Sequence, residues 1–191
     1  SGMPDAGTTS VVLNLAATAV TAGRSVVIVD ANFRRPRIGS ILGLDAEARG
    51  FGDVLCEVAS IDEVIQTTAD GIAVVPAGTP ANRVIERFDG DFAGRSLQDL
   101  ASRFDVVLID GPPMVVASES MSIAHAVDAT VLVVRAYSEH RGLVARLIRQ
   151  LNEHSGVMLG VVLNRPRNTA GGYFRRNYEA IAAYSNDQDP E

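Results

Sequence analysis

The first ten residues, SGMPDAGTTS, hold Gly2, Gly7 and Thr9 at the spacing G-x-x-x-x-G-K-S/T, a pattern whose backbone N–H groups cradle phosphates and whose last hydroxyl meets Mg2+. The position that this pattern gives to lysine is Thr8. Two later segments end in an acid, SVVIVD at Asp30 and FDVVLID at Asp110. One aspartate closing an apolar strand is often only a turn or cap residue. Two of them beside a phosphate loop make a set that can hold a divalent cation, if the fold brings them to the carboxyl ends of neighbouring strands, where open α/β sheets bind their ligands.

That placement requires a particular architecture, and the rest of the chain is patterned for it. Short β-branched runs at 25–30, 72–78, 104–110, 129–136 and 157–164 alternate with helical patterns, which predicts an α/β fold with a mainly parallel sheet flanked by helices. All five runs read as buried strands. Between them, TTSVVLNLAATAV reads as a helix directly after the loop, and SIDEVIQT carries a capping box from Ser60 to Glu63. HRGLVARLIRQLNEH puts Leu143, Leu147 and Leu151 on one face, and Ser118 is expected to cap a helix that starts at Glu119. Residues 1–185 are expected to form one domain and 186–191 a polar tail. A phosphate loop ordinarily leaves a strand before it enters its helix, so the first strand is expected upstream of Ser1, outside these residues.

Composition narrows the function. At 191 residues and 47% hydrophobic content the chain can bury a real core. No apolar run approaches the roughly 20 residues of a membrane-spanning helix. A formal charge of −6 disfavours a nucleic-acid reader. All 17 basic residues are arginine, so no lysine elsewhere in the chain can serve the loop. The single Cys56 has no internal disulfide partner and is expected as a small buried thiol, and His125, His140 and His154 lack zinc-ligand spacing.

The segments SGMPDAGTTSVVLNLA, VDANFRRP, GLDAEARGFGDVL, VVPAGTPANR, FDVVLIDGPP, VDATVLVVR and VVLNRP, in this order, resemble the bacterial tyrosine kinases (BY-kinases), P-loop NTPase-like relatives of the MinD/ParA ATPases. The likeness runs from Ser1 to about Arg165, and RRP after the first aspartate with DGPP after the second is its most specific part. It implies cytoplasmic domains at the inner face of the membrane, associated with capsule and exopolysaccharide assembly, that use ATP and Mg2+. It implies a nucleotide loop at Gly2, Gly7, Thr8, Thr9 and Ser10, with Thr9 on the metal. Asp110 matches the Walker B acid that holds the metal. Asp30 matches a second acid that orients metal-bound water or acts as base toward a tyrosine hydroxyl. Asn164 matches an adenine contact. Tyr173, Tyr178 and Tyr184 resemble the tyrosine cluster phosphorylated between subunits, although they fit a terminal amphipathic helix as well. The implied partners are a membrane polysaccharide chain-length regulator or export component, fused upstream or separate, and further copies of the chain.

Three departures from the resembled pattern fall on the chemistry. Thr8 replaces the lysine, Asp5 replaces a glycine of the loop, and Asn32 replaces the second acid of V-D-A-D. A lysine on phosphate is worth roughly 1.5–3 kcal/mol, and an inward Asp5 at about 6 Å would add roughly 3 kcal/mol of repulsion at an effective dielectric near 20. The two together are expected to cost about 4 kcal/mol, on the order of a thousandfold in affinity. Arg34, Arg35 or Arg37 could offset part of this as a substitute cation. Three functions remain open: a regulatory relative with impaired phosphotransfer, an active tyrosine autokinase, and a MinD/ParA-type ATPase.

Overall fold

A computed structural model of the chain describes residues 1–45, 48–78, 84, 91–154 and 157–166. The loop feeds helix α1 (Thr8–Thr21), whose Val12 and Ala16 are buried while Leu13, Ala19 and Val20 pack at its margins. The recurrence of these residues at three- and four-residue spacing is the helical period. Gly23, at φ 75°, ends the helix: its N–H bonds Val20 O and that of Arg24 bonds Ala19 O, a left-handed turn that suits a residue without Cβ.

The run VVIVD follows as β1 (Val26–Asp30), buried along its whole length. Short helices α2 (Ile38–Leu42), α3 (Phe51–Leu55) and α4 (Ile61–Val64) precede β2 (Gln66–Thr67) and β3 (Ala73–Val75). Then come α5 (Asp91–Arg103), β4 (Val106–Asp110), α6 (Glu119–His125), β5 (Ala129–Arg135), α7 (Arg141–His154) and β6 (Val157–Asn164). One sheet has the order β2-β3-β1-β4, with β1 parallel to both neighbours and β2 antiparallel to β3.

Period-two alternation along these strands feeds two cores. Val27, Val29 and Val75 face Phe51, Leu55, Leu97 and Leu100 on one side, and Val26, Ile28 and Val74 face Val12, Ala16 and Ile38 on the other. Each such buried Val, Ile, Leu or Phe contributes roughly 1.5–3 kcal/mol. Helices on both faces of a mainly parallel sheet are what the sequence pattern requires.

All five expected strands form, with two differences. Among the described residues the strands do not all join one sheet, because β5 and β6 form a separate parallel pair with a register shift between Thr130 and Val131. Burial is also unequal: β1 and β3 are enclosed, but Val157, Leu159, Val161 and Leu163 of β6 are exposed. Among the described residues β6 has a strand partner on one side only. Leu147 and Leu151 of α7 pack as expected on Leu132 and Val134, with Leu143 at the margin.

The capping box forms in α4, where Ser60 N–H donates to Glu63 Oε2 at 2.7 Å. Ser118 does precede α6, but its backbone is already helical (φ −65°, ψ −33°) and its side chain makes no capping bond. Cys56 is half-buried rather than enclosed, because it terminates α3 and the chain turns away at Glu57 (φ 60°). No helix among the described residues is long and apolar enough to cross a membrane.

Candidate functional site

Register brings the two acids together. In the β1–β4 ladder Asp30 lies opposite Asp110, and Ala31 N–H bonds Asp110 O at 3.0 Å. Both side chains are buried, at 0% and 1% exposure. The loop is fastened beside them by bonds that include three short ones. Thr9 Oγ1 donates to Asp110 Oδ2 at 2.6 Å, Asn164 Nδ2 donates to Ala6 O at 2.8 Å, and Met114 N–H donates to Ser1 O at 2.8 Å. Gly7 takes φ 90° where α1 begins, and a Cβ there would run into the Asn164 amide. A Cβ on Gly2 would likewise meet the carboxylate of Glu139 and the tip of Leu147. No side chain caps α1, so its first-turn N–H groups are left to an anion or to water.

The electrostatics of the two acids differ. Asp110 Oδ1 is buried without a hydrogen-bond partner among the described residues. Burial pushes this carboxyl above its usual range, opposed by the Thr9 hydroxyl. Asp30 is satisfied: Oδ1 accepts Asn32 N–H at 3.1 Å, and Oδ2 accepts Arg37 N–H at 3.0 Å and Ile38 N–H at 3.1 Å. Burial raises Asp30 to about 6, with Asp110 adding to the rise and the three backbone donors, Ile38 foremost, opposing it. Asp30 therefore shapes the turn that carries Arg34, Arg35 and Arg37 as well as lining the site. Of roughly four acceptor positions on a carboxylate, these bonds leave it about one.

An orphaned buried carboxylate oxygen, a hydroxyl and a second acid fit a hard cation of the Mg2+ kind, which takes oxygen donors and keeps several waters. Thr9, Asp110 and Asp30 are the residues that would hold it.

The raised value at Asp30 has a definite sign in a stability profile. The folded chain holds this proton more tightly than the unfolded chain, so the fold gains from Asp30 as pH falls below about 6 and loses that gain as pH rises through it. Urea midpoints of the wild type relative to Asp30→Asn should therefore decline between pH 5 and pH 7. Parallel profiles would show that the proton is not held there.

Other expected residues are placed as follows. Thr8 opens α1 half-buried and Ser10 is exposed. Asp5 is exposed with left-handed backbone at φ 60°, so its carboxylate meets solvent and the repulsion expected of an inward side chain does not arise. Asn32 is half-buried in the turn beyond Asp30. Tyr173, Tyr178 and Tyr184 lie outside the described residues.

Two acids that sequence reasoning did not assign to the site stand close to it. Glu119, whose side chain is 1% exposed, binds Arg34 Nε through Oε1 at 2.9 Å. Glu139 accepts Arg135 N–H at 3.1 Å and turns its other, buried oxygen toward Gly2. Glu119 was legible only as a helix-start residue, and nothing in AYSEHR marks Glu139.

A parallel sheet with a glycine loop entering a helix, and paired acids at adjacent strand ends, defines a P-loop NTPase-like protein. Among solved structures the fold is similar to the kinase domain of VpsO, with TM-score 0.80 at 26% identity over 86% of this chain and 81% of that one. It is also similar to the kinase domain of the Escherichia coli tyrosine kinase ETK, with TM-score 0.81 at 24% identity over 91% and 69%. MinD from Pyrococcus horikoshii, complexed with Mg-ADP, shares the fold at TM-score 0.75 and 23% identity over 89% and 70%.

In sequence the chain is 27% identical to the putative tyrosine-protein kinase EpsB of Ralstonia solanacearum over 98% of its own length and 26% of that protein. It is 24% identical to the tyrosine-protein kinase CpsD of Streptococcus agalactiae over 86% of its length and 70% of that protein. The chain thus spans about a quarter of the Ralstonia relative. No protein-family model matches it. In sequence and fold the chain is similar to bacterial tyrosine kinases, and in fold alone to the MinD-like ATPases.

Proposed function

We propose that this chain is the BY-kinase-like domain, over residues 1–185, of a system for exopolysaccharide or capsule synthesis or export, and that its ATP-dependent phosphotransfer is impaired. One observation carries the reading. The loop, Asp30 and Asp110 are assembled, yet the cationic position is Thr8 in a chain without lysine. Phosphoryl transfer depends on positioning and on stabilising charge at the γ-phosphate, and a neutral hydroxyl supplies little of the second. The ligands are ATP and Mg2+, and a bound metal would neutralise part of the phosphate charge. Thr9 and Asp110 would hold that metal, and Asp30 would orient the attacking group. The domain acts at the cytoplasmic face of the membrane with a polysaccharide chain-length regulator or export component, fused upstream or separate, and with further copies of itself. The Mg-ADP-bound MinD neighbour and the tyrosine kinase relatives support nucleotide and metal of this class.

Incubation with Mg-ATP followed by mass spectrometry tests the reading. No phosphate is expected on Tyr173, Tyr178 or Tyr184. Incorporation that disappears in Asp30→Ala would establish the active autokinase instead.

A further inference from the structure

The chain has no lysine, so a permanently charged side-chain cation of this chain that meets a phosphate here belongs to arginine. Three arginines follow Asp30, and the structure distinguishes them. Arg35 and Arg37 are exposed and form no ion pair among the described residues. Arg34 is anchored: its Nε donates to Glu119 Oε1 at 2.9 Å, with Glu119 buried while the arginine side chain stays 51% exposed. Guanidinium has two usable edges. Glu119 engages only Nε, and Glu119 Oε2 has no partner among the described residues. The edge formed by the two Nη groups is therefore left for a second, forked acceptor.

The backbone beneath Arg34 is fixed as well. Asp30 gathers the N–H groups of Asn32, Arg37 and Ile38, and Phe33 is buried against Phe51. The pair also joins the two segments that leave the paired acids, four residues beyond Asp30 and nine beyond Asp110. We propose that Arg34, oriented by Glu119, is the cation that grips a phosphoryl group of a nucleotide polyphosphate at this site in place of the absent lysine. The inference rests on the nucleotide-site reading above and deepens it. Phosphate is held by a fork from the turn after β1 instead of by an ammonium from the loop.

Calorimetric titration of the chain with Mg-ADP and with inorganic tripolyphosphate is the test. Arg34→Ala leaves a buried carboxylate unpaired and can weaken the fold, so Arg34→Lys is the deciding variant: it keeps the charge opposite Glu119 and removes the fork. Arg34→Lys should lose about tenfold in affinity for both ligands with an unchanged melting temperature, and Arg35→Ala should lose nothing. Equal affinity of wild type and Arg34→Lys overturns the inference. Absence of binding to the wild type, with binding by Thr8→Lys, also overturns it and leaves the impaired-kinase reading standing. Phosphotransfer by the wild type together with the Arg34→Lys loss overturns that reading and leaves the inference.

Discussion

Thr8→Lys is expected to tighten Mg-ATP binding by about 10- to 150-fold, the equivalent of roughly 1.5–3 kcal/mol for one charge-assisted contact to phosphate. Thr8 is the first residue of α1, directly after Gly7, and it is only half-buried, so a longer side chain has room to leave the loop. The gain has a second source. Asp30 and Asp110 lie side by side, both buried, and an added ammonium nearby also offsets their repulsion of the incoming phosphates. The effect should stay below the thousandfold inferred from the sequence, because Asp5 faces solvent and takes no part in the penalty. Adding Asn32→Asp tests the same point from the opposite side. A second acid beside Asp30 helps only if a metal is bound, so the double variant should exceed the single one with Mg2+ and fall below it in EDTA. Isothermal titration of the three proteins measures both comparisons. Identical affinities in wild type and Thr8→Lys would mean that the loop cation is not what limits binding.

The parts of this site that were legible in the sequence are those fixed by local period. β-branched runs ending in Asp30 and Asp110 become adjacent parallel strands because parallel pairing of equally long runs leaves their carboxyl ends level. Gly7 and Thr9 could be placed because the loop demands a left-handed residue and a hydroxyl at set spacing. What was not legible depends on distant pairings. Glu119 and Arg34 are 85 residues apart, and an acid in the first turn of a helix has a sufficient local explanation in the helix dipole. Whether Asp5 turns inward is a matter of one backbone angle that its neighbours do not encode. The exposure of β6 has the same origin. Its alternation of Val, Leu and Met fits a buried strand equally well, and only the absence of a second strand partner among the described residues separates the two.

The other large effect is on stability: Phe51→Ala is expected to cost about 3–5 kcal/mol, the range for truncating a buried aromatic when the surroundings cannot close over the gap. Phe51 is fully buried and stacks on Phe33 with ring centroids 6.4 Å apart and planes 15° from parallel. Helix α3 cannot slide to fill the space. Phe51 N–H is bonded to Pro76 O at 2.8 Å and Gly52 N–H to Ala77 O at 2.9 Å, and Gly50 already approaches Pro76 too closely to admit a Cβ. The loss should reach the site through Phe33, since this residue seats the turn whose N–H groups hold Asp30. Urea denaturation should show the stability change, and native-state hydrogen exchange should show faster exchange at the Arg37 and Ile38 amides than the global loss alone predicts. Phe51→Leu, which keeps most of the volume, should retain more than half of the stability difference and leave those two amides protected. If both variants lose stability equally, or if the two amides exchange only with the whole fold, the stack fills the core without seating the turn, and Asp30 is held by its backbone bonds alone.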